Sequence, residues 1–299
     1  MSLTIAMSLA IENFQAGYAA AQLRDTGLAD HRQSFTTAPI TLEIPASGLV
    51  ALLGPNGSGK STLLKGLMGL IPHRGLIHVK DVDLSQASSR ERARHLAYLP
   101  QRHQFAFPIQ VEEIVLMGFN PVMGLFSLYS KNQREKARAV LDRLGLAGMA
   151  DADYTHLSEG QRQRVLLARS LVQQADVLLL DEPDTALDLR VRYETLRAIR
   201  TILQEDQRSG LLILHDPSLA LDLCDRIELM QNGQIIAQID PAVESPRQIA
   251  EKLSLLYGPL TIHVLPDGRR LVSLEPSHSG PGDVDPGVFA AAARRGEEA

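Results

Sequence analysis

Three runs of uninterrupted apolar residues constrain the fold of this 299-residue chain more than any other feature: LVALLG at 49–54, DVLLLDEP at 176–183 and GLLILHD at 210–216. A strand wet on one face alternates apolar and polar residues. Runs without alternation suit a parallel sheet covered on both faces. HLAYLP at 95–100 reads as a further strand, stopped by Pro100, and GLIHVKDVDL as a short strand and turn. Helical patterns lie between them. STLLKGLMGL follows the first run. REKARAVLDRLG carries apolar residues at 137, 140, 141 and 144, with Gly145 placed for a C-terminal cap. DPSLALDLCD opens with Asp216 as cap and Pro217 at the first helical position. The segment 111–171 reads as helical throughout and interrupts the α/β pattern. LTIHVLPDGRRLVSL predicts a small hairpin over 261–274. Residues 276–299, rich in Gly, Pro and charge, are expected to be a disordered tail.

Composition narrows the function classes. A hydrophobic share of 44% supports a substantial core, and a net charge of -5 gives no strong basic field for nucleic acid, although local basic patches average out of such a sum. The single cysteine, Cys224, excludes an internal disulfide framework and reads as a buried, inert thiol. His73, His78, His95 and His103 fall in no recognised metal-ligand spacing. No window reaches the ~18 apolar residues of a membrane span, and the first residues lack a positively charged start. The expectation is a cytoplasmic chain, free to dock on a membrane partner.

GPNGSGKST, from Gly54 through Pro55, Asn56, Gly57, Ser58, Gly59, Lys60 and Ser61 to Thr62, fits G-x-x-x-x-G-K-[ST] between a strand and a helix. Its glycines let backbone N–H groups converge on phosphate oxygens at a helix start. Lys60 would reach the β- and γ-phosphates, Ser61 would ligate Mg²⁺, and Thr62 adds a hydroxyl. A lysine in a helix's first turn is electrostatically misplaced unless an anion sits there. VLLLDEP then ends a strand in two acids. Asp181 suits Mg²⁺, and Glu182 suits the general base that takes a proton from attacking water. Gln101 would sense metal and water, and His215 would meet the γ-phosphate. These offsets predict hydrolysis rather than mere nucleotide binding.

LSEGQ at 157–161 supports two readings. Ser158 and Gln161 form a capping box, which explains both residues. It does not explain Gly160, which costs helix propensity in the first turn. A helix start with a small residue and open donors also permits an anion.

In order, GPNGSGKST, LPQ, LSEGQ, LLLDEP, TALD and HD resemble the ATP-binding subunits of ABC transporters over roughly residues 38 to 240. The resemblance implies a P-loop (RecA-like) α/β core with an inserted helical subdomain at about 104–170, within an ATPase domain spanning 1–275. It implies ATP and Mg²⁺ as ligands, and Gln101 and His215 as switch residues. Leu157, Ser158, Glu159, Gly160 and Gln161 would form a signature whose Ser158 and Gly160 act on ATP held by a second copy, and Asp188 would link the two sites. Departures are Glu159 where glycine is commonest, Asp184 where threonine or serine is usual, and TALD for SALD. Tyr18 matches the adenine-stacking aromatic by context, although the stretch after it, AAQLRDTGLADHRQ, resembles an insertion.

The loops FAFPIQVEEIVLMGFNP and YGPLTIHVLPDGRRLVSLEPS are most similar to the ATPases of importers for iron–siderophore complexes, haem and vitamin B12, with zinc and manganese importers close behind. That resemblance implies separate permease subunits, a substrate-binding protein that feeds them, and a place on the cytoplasmic face of the membrane, with no nucleic acid. The competing class is a soluble ABC ATPase acting on nucleic acid or ribosomes. Against it, the stretch between Gln101 and Ser158 holds no heptad array. The intact Glu182 and His215 speak against a non-catalytic subunit.

Overall fold

A computed structural model of the chain describes residues 7–18, 35–101, 105, 107–124 and 127–275. The expected tail, most of the stretch after Tyr18, and His103 lie outside the described residues.

The centre is a six-stranded sheet whose spatial order begins at its edge with β10 (Gln234–Ile239) and β9 (Arg226–Gln231). It continues through β3 (Leu49–Leu53), β8 (Ser209–Ile213), β7 (Val177–Asp181) and β6 (Leu96–Leu99). All neighbours are parallel except the β9–β10 hairpin. The uninterrupted apolar runs have a direct cause. Leu49, Ala51 and Leu53 face one core while Val50 and Leu52 face another, and Leu178/Leu180 and Val177/Leu179 divide in the same way. Each residue of the apolar runs is wanted by an apolar layer, so polar side chains enter these strands only near their ends.

One layer is helix α1 (Lys60–Leu67) with an antiparallel sheet of order β2 (Ile40–Pro45), β1 (Met7–Ala16), β4 (His73–Val79) and β5 (Val82–Asp83). The other is helical: α3 (Val111–Leu116), α4 (Lys131–Arg143), α5 (Glu159–Val172), α6 (Leu189–Glu205), α7 (Pro217–Leu223) and α8 (Pro246–Tyr257). Short α2 (Ser89–His95) leads directly into β6, and β11 (Leu260–Val264) pairs with β12 (Arg270–Leu274) beyond α8.

The stretch 111–171 is not helical throughout. A 3₁₀ turn, Met117–Val122, containing Pro121 follows α3, and non-helical chain separates α4 from α5 apart from a 3₁₀ turn at Tyr154–His156. Pro121 ends regular α-helical bonding, and Gly145, with φ of 69°, turns the chain after α4. Glu112, 4% exposed, ties α3 to α4 by accepting from Arg134 and Arg138, each at 2.6 Å. Cys224 is buried, and burial pushes its thiol up to about 12. No helix among the described residues is long and apolar enough to cross a membrane.

Candidate functional site

The site lies at the carboxyl ends of the parallel strands, where β3 runs into the glycine-rich turn and β7 ends at Asp181. Gly59 caps α1 with φ of 104°, a conformation that side-chain-bearing residues avoid, and a Cβ there would stand 2.8 Å from the Phe35 ring. Lys60 follows as the first residue of α1. Its Nζ donates to Gly54 O at 2.7 Å and Pro55 O at 2.9 Å, so the ammonium rests on the loop carbonyls. Burial lowers its pKa, opposed by the charges of Glu182 and Asp181. The Ser58 hydroxyl is buried and lacks a partner among the described residues, a donor waiting for an anion in the loop.

The Ser61 hydroxyl donates to Asp181 Oδ1 at 2.9 Å and the Tyr98 hydroxyl to Oδ2 at 3.3 Å. Burial above all, with the nearby Glu182 charge, raises the Asp181 pKa against those two bonds. A bound cation would reverse that balance. Ser61, Asp181 and the amide oxygen of Gln101 make an all-oxygen donor set, the kind Mg²⁺ takes.

Two consecutive strand residues ordinarily face opposite ways. Here Glu182 takes φ of 54°, breaking the alternation and turning its carboxylate toward the phosphate loop. A non-glycine residue in that region costs ~1–3 kcal/mol and persists only when its surroundings over-determine it. Three donors do so: Gln101 Nε2 at 2.7 Å, His215 Nε2 at 2.8 Å and the Thr185 hydroxyl at 3.1 Å. Burial pushes the Glu182 carboxyl up. The bonds from His215 and Gln101, the His215 charge and the Thr185 bond outweigh it, and the carboxyl sits below its ordinary value. The side chain is thereby held ionised and pre-aimed.

A cleft of about 710 Å³ gathers residues 56–62, Gln101, Glu182, Thr185 and His215 with Tyr18 and Phe35 at one side. Phe35 escapes the sequence motifs, and Thr185 falls inside TALD without having been assigned a place at the site. Phe35 comes close to Tyr18 because Tyr18 N donates to Phe35 O at 2.9 Å and Gly17 pairs with Thr36. The only sequence signal for Phe35 is an aromatic residue shortly before an apolar strand. Thr185 could have been read from its place at the start of TALD, three residues after Glu182.

The segment Leu157–Gln161 does not line this chain's cleft. Leu157 is buried in the helical-side core, Ser158 accepts from Gln161 N at 3.3 Å, and Gln161 Oε1 accepts from Ser158 N at 2.9 Å. Glu159 occupies the first turn of α5, where a negative charge meets the positive helix end. Gly160 has a packing reason as well, since a Cβ there would stand 3.0 Å from Ala186 O. Asp188 caps α6, accepting from Val191 N at 3.0 Å. Asp184 turns to Arg192, 3.5 Å away, not to the cleft.

The family pattern described as "ABC transporter" matches residues 37–185. The chain is 37% identical over 229 residues to the hemin import ATP-binding protein HmuV of Escherichia coli O157:H7, covering 74% of this chain and 86% of that protein. It is 37% identical over 181 residues to the "Probable iron chelatin transport ATP-binding protein" of Helicobacter pylori, covering 60% of this chain and 71% of the relative. The zinc transport system ATP-binding protein TroB of Treponema pallidum is 37% identical over 186 residues, or 61% of this chain and 68% of that one. In fold, the chain superimposes with a TM-score of 0.71 on a chain of an inward-facing transporter described as of metal-chelate type, at 24% identity, covering 91% of this chain and 98% of that one. Its phosphate loop, paired acids and shared sequence together establish that the chain belongs to the ATP-binding proteins of ABC transporters, which bind ATP with Mg²⁺ and hydrolyse it.

Proposed function

We propose that this chain powers an importer of a metal chelate, a ferric siderophore being the first cargo to test and haem, vitamin B12, zinc and manganese the alternatives. The names of the relatives support a metal-containing cargo, since hemin, iron chelatin and zinc recur among them. In this reading two copies work beneath separate permease subunits on the cytoplasmic face of the membrane, supplied by a substrate-binding protein. Residues 1–275 act as one ATPase domain, with about 104–170 as its helical subdomain. A groove of about 590 Å³ between α2 and residues 117–124, 127 and 129, lined by Arg90, Met117, Met123 and Tyr129, offers the permease a seat.

The observation that carries the catalytic assignment is the hydrogen-bonded set Gln101–Glu182–His215 facing the phosphate loop. Lys60 exchanges the loop carbonyls for the β- and γ-phosphates. Glu182, already ionised, takes a proton from water aligned on the γ-phosphate, while His215 and Gln101 hold the water and the phosphate oxygens in register. Ser61, Asp181 and Gln101 would hold Mg²⁺, which would neutralise charge on the phosphates. Tyr18 and Phe35 supply apolar faces for adenine. Ser158 and Gly160 complete the site of the partner copy, and Asp188 links the two sites.

Glu182→Gln keeps the shape of the side chain and its neighbours but removes the base. It is expected to bind ATP, accumulate closed dimers in size-exclusion runs with ATP, and lose ~10²–10⁴-fold in turnover. Turnover by purified Glu182→Gln protein equal to wild type would remove Glu182 from this role. Co-purification from native membranes followed by uptake of labelled ferric chelate, haem and cobalamin tests the cargo. Failure to recover any integral membrane partner would overturn the importer reading.

A further inference from the structure

Strand β2 ends the antiparallel sheet and β10 ends the central one, and no strand pairing joins these two edges among the described residues. A groove of about 360 Å³ runs between them, and none of its lining residues also lines the nucleotide cleft. Leu42, Ile235 and Ile236 give it aliphatic walls. Glu228 of β9 lines it too, although only 4% exposed. Its carboxylate takes part in no hydrogen bond or ion pair among the described residues, and burial pushes it up, only partly offset by the Arg226 charge. A buried acid left in this way is costly, and packing does not ask for one. Ile227 and Leu229 turn to the helical-side core and Met230 to the opposite one. The alternation puts Glu228 on the Met230 side, where an apolar residue would pack toward β2.

The chain's own cations near the groove are engaged elsewhere. Arg226 Nη1 donates to Glu43 O at 3.1 Å, and Lys252 Nζ donates to Gln238 O at 2.7 Å and pairs with Glu244 at 2.8 Å. Glu43 and Glu228 against Arg226 leave the lining one negative charge in excess. A metal ion does not suit it: Ca²⁺ takes about six to eight oxygens, and no group of three His, Cys, Asp or Glu gathers among the described residues. The register of β10 shifts between Ile235 and Ala237, the mark of a bulge, and beyond the shift Gln238 stands directly opposite Glu228. Thr41, which accepts from Asn13 N at 3.3 Å, keeps a second lone pair at the other wall. A carboxylate, an amide oxygen and a hydroxyl thus meet in a groove with aliphatic walls. An ammonium has three donors to match them, and a hydrocarbon stem suits the walls.

We propose that the groove between β2 and the β9–β10 hairpin is a binding site for a small, free primary alkylammonium, with Glu228 as its counter-ion and Leu42, Ile235 and Ile236 along its stem. The site is separate from the nucleotide cleft and independent of cargo and permease.

The test is calorimetric titration of the full chain with n-butylamine at about pH 8, where the amine is protonated. Wild type is expected to bind it at one site, and Glu228→Gln about tenfold more weakly, about 1.4 kcal/mol. Butan-1-ol has the stem without the charge, and tetramethylammonium the charge without N–H donors. Each is expected to bind wild type at least tenfold more weakly than the amine does. Gln238→Lys sets an ammonium across the ladder from Glu228, at a Cβ separation of ~5 Å, and is expected to fill the site from within. It should weaken n-butylamine about tenfold while Glu228 is intact. Steady-state ATPase near wild type in both variants confirms that they fold. No binding to wild type up to about 20 mM overturns the site, as does equal affinity in wild type and Glu228→Gln. Equal binding of tetramethylammonium overturns the ammonium assignment, leaving only a negative patch. Should Glu228→Gln fail to fold, Gln238→Lys decides alone, and undiminished n-butylamine binding in it overturns the site.

Discussion

Glu182 and Glu228 stand on or just beyond neighbouring parts of one sheet, yet their surroundings drive them apart. Glu182 has three donors and is held ionised. Glu228, on β9 and 4% exposed, has none among the described residues, and burial pushes its carboxyl up to about 7, only partly offset by the Arg226 charge. The sign follows by linkage. The folded state holds this proton above the ordinary value of 4.5 while the unfolded state has lost it, so stability falls as pH rises from about 4.5 to about 7 and is level beyond. The contribution is on the order of 3 kcal/mol. Glu228→Gln is therefore expected to be more stable than wild type at pH about 8, with the gap closing toward pH about 4.5 in urea titrations. A constant gap across that range would refute the assignment. At this scale the sequence is least informative. Arg92 lies in SSRERARH, and nothing in those residues announces a buried guanidinium that donates to Gly66 O, Leu67 O, Ser85 O and Ala87 O. Phe35 is likewise invisible until Gly17–Thr36 pairing brings it beside Tyr18.

Among the elements, β3, β7 and β8 were legible because both of their faces are buried, and α7 because Asp216 accepts from Ser218 and Leu219 N–H groups, leaving a strong cap signature. β1 was not. A register shift between Ile11 and Phe14, with Asn13 at φ of 48°, breaks the two-residue period on which strand reading depends. Helix α5 poses a different problem, since Ser158 has a sufficient local role as its cap and a proposed role on another molecule. Ser158→Asp separates them. Aspartate caps as well as serine, so thermal stability should stay within ~0.5 kcal/mol. A carboxylate facing a γ-phosphate should cost ~10²-fold or more in ATPase turnover through like-charge repulsion. Retained activity in that variant would leave Ser158 a cap and nothing else.

The molecule as a whole places one apolar layer on each side of the central sheet, and the cleft opens where the strands end. Its Leu157–Gln161 segment does not line its own cleft, so a composite site requires a second copy. Mixing Lys60→Ala with Ser158→Asp protein decides this. Each is expected to be inactive alone, but half the mixed dimers' sites regain an intact Lys60 opposite an intact Ser158, restoring roughly a quarter of wild-type turnover. No recovery on mixing would mean the two residues serve separate sites. The paired backbone at Gly17–Tyr18 and Phe35–Thr36 carries a practical consequence. Tyr18 and Phe35 are thereby seated at the cleft by main-chain bonds, which a change of either side chain leaves in place. A fluorescent side chain in place of either ring would keep that seat beside the nucleotide, turning the ATPase into a sensor of its own occupancy.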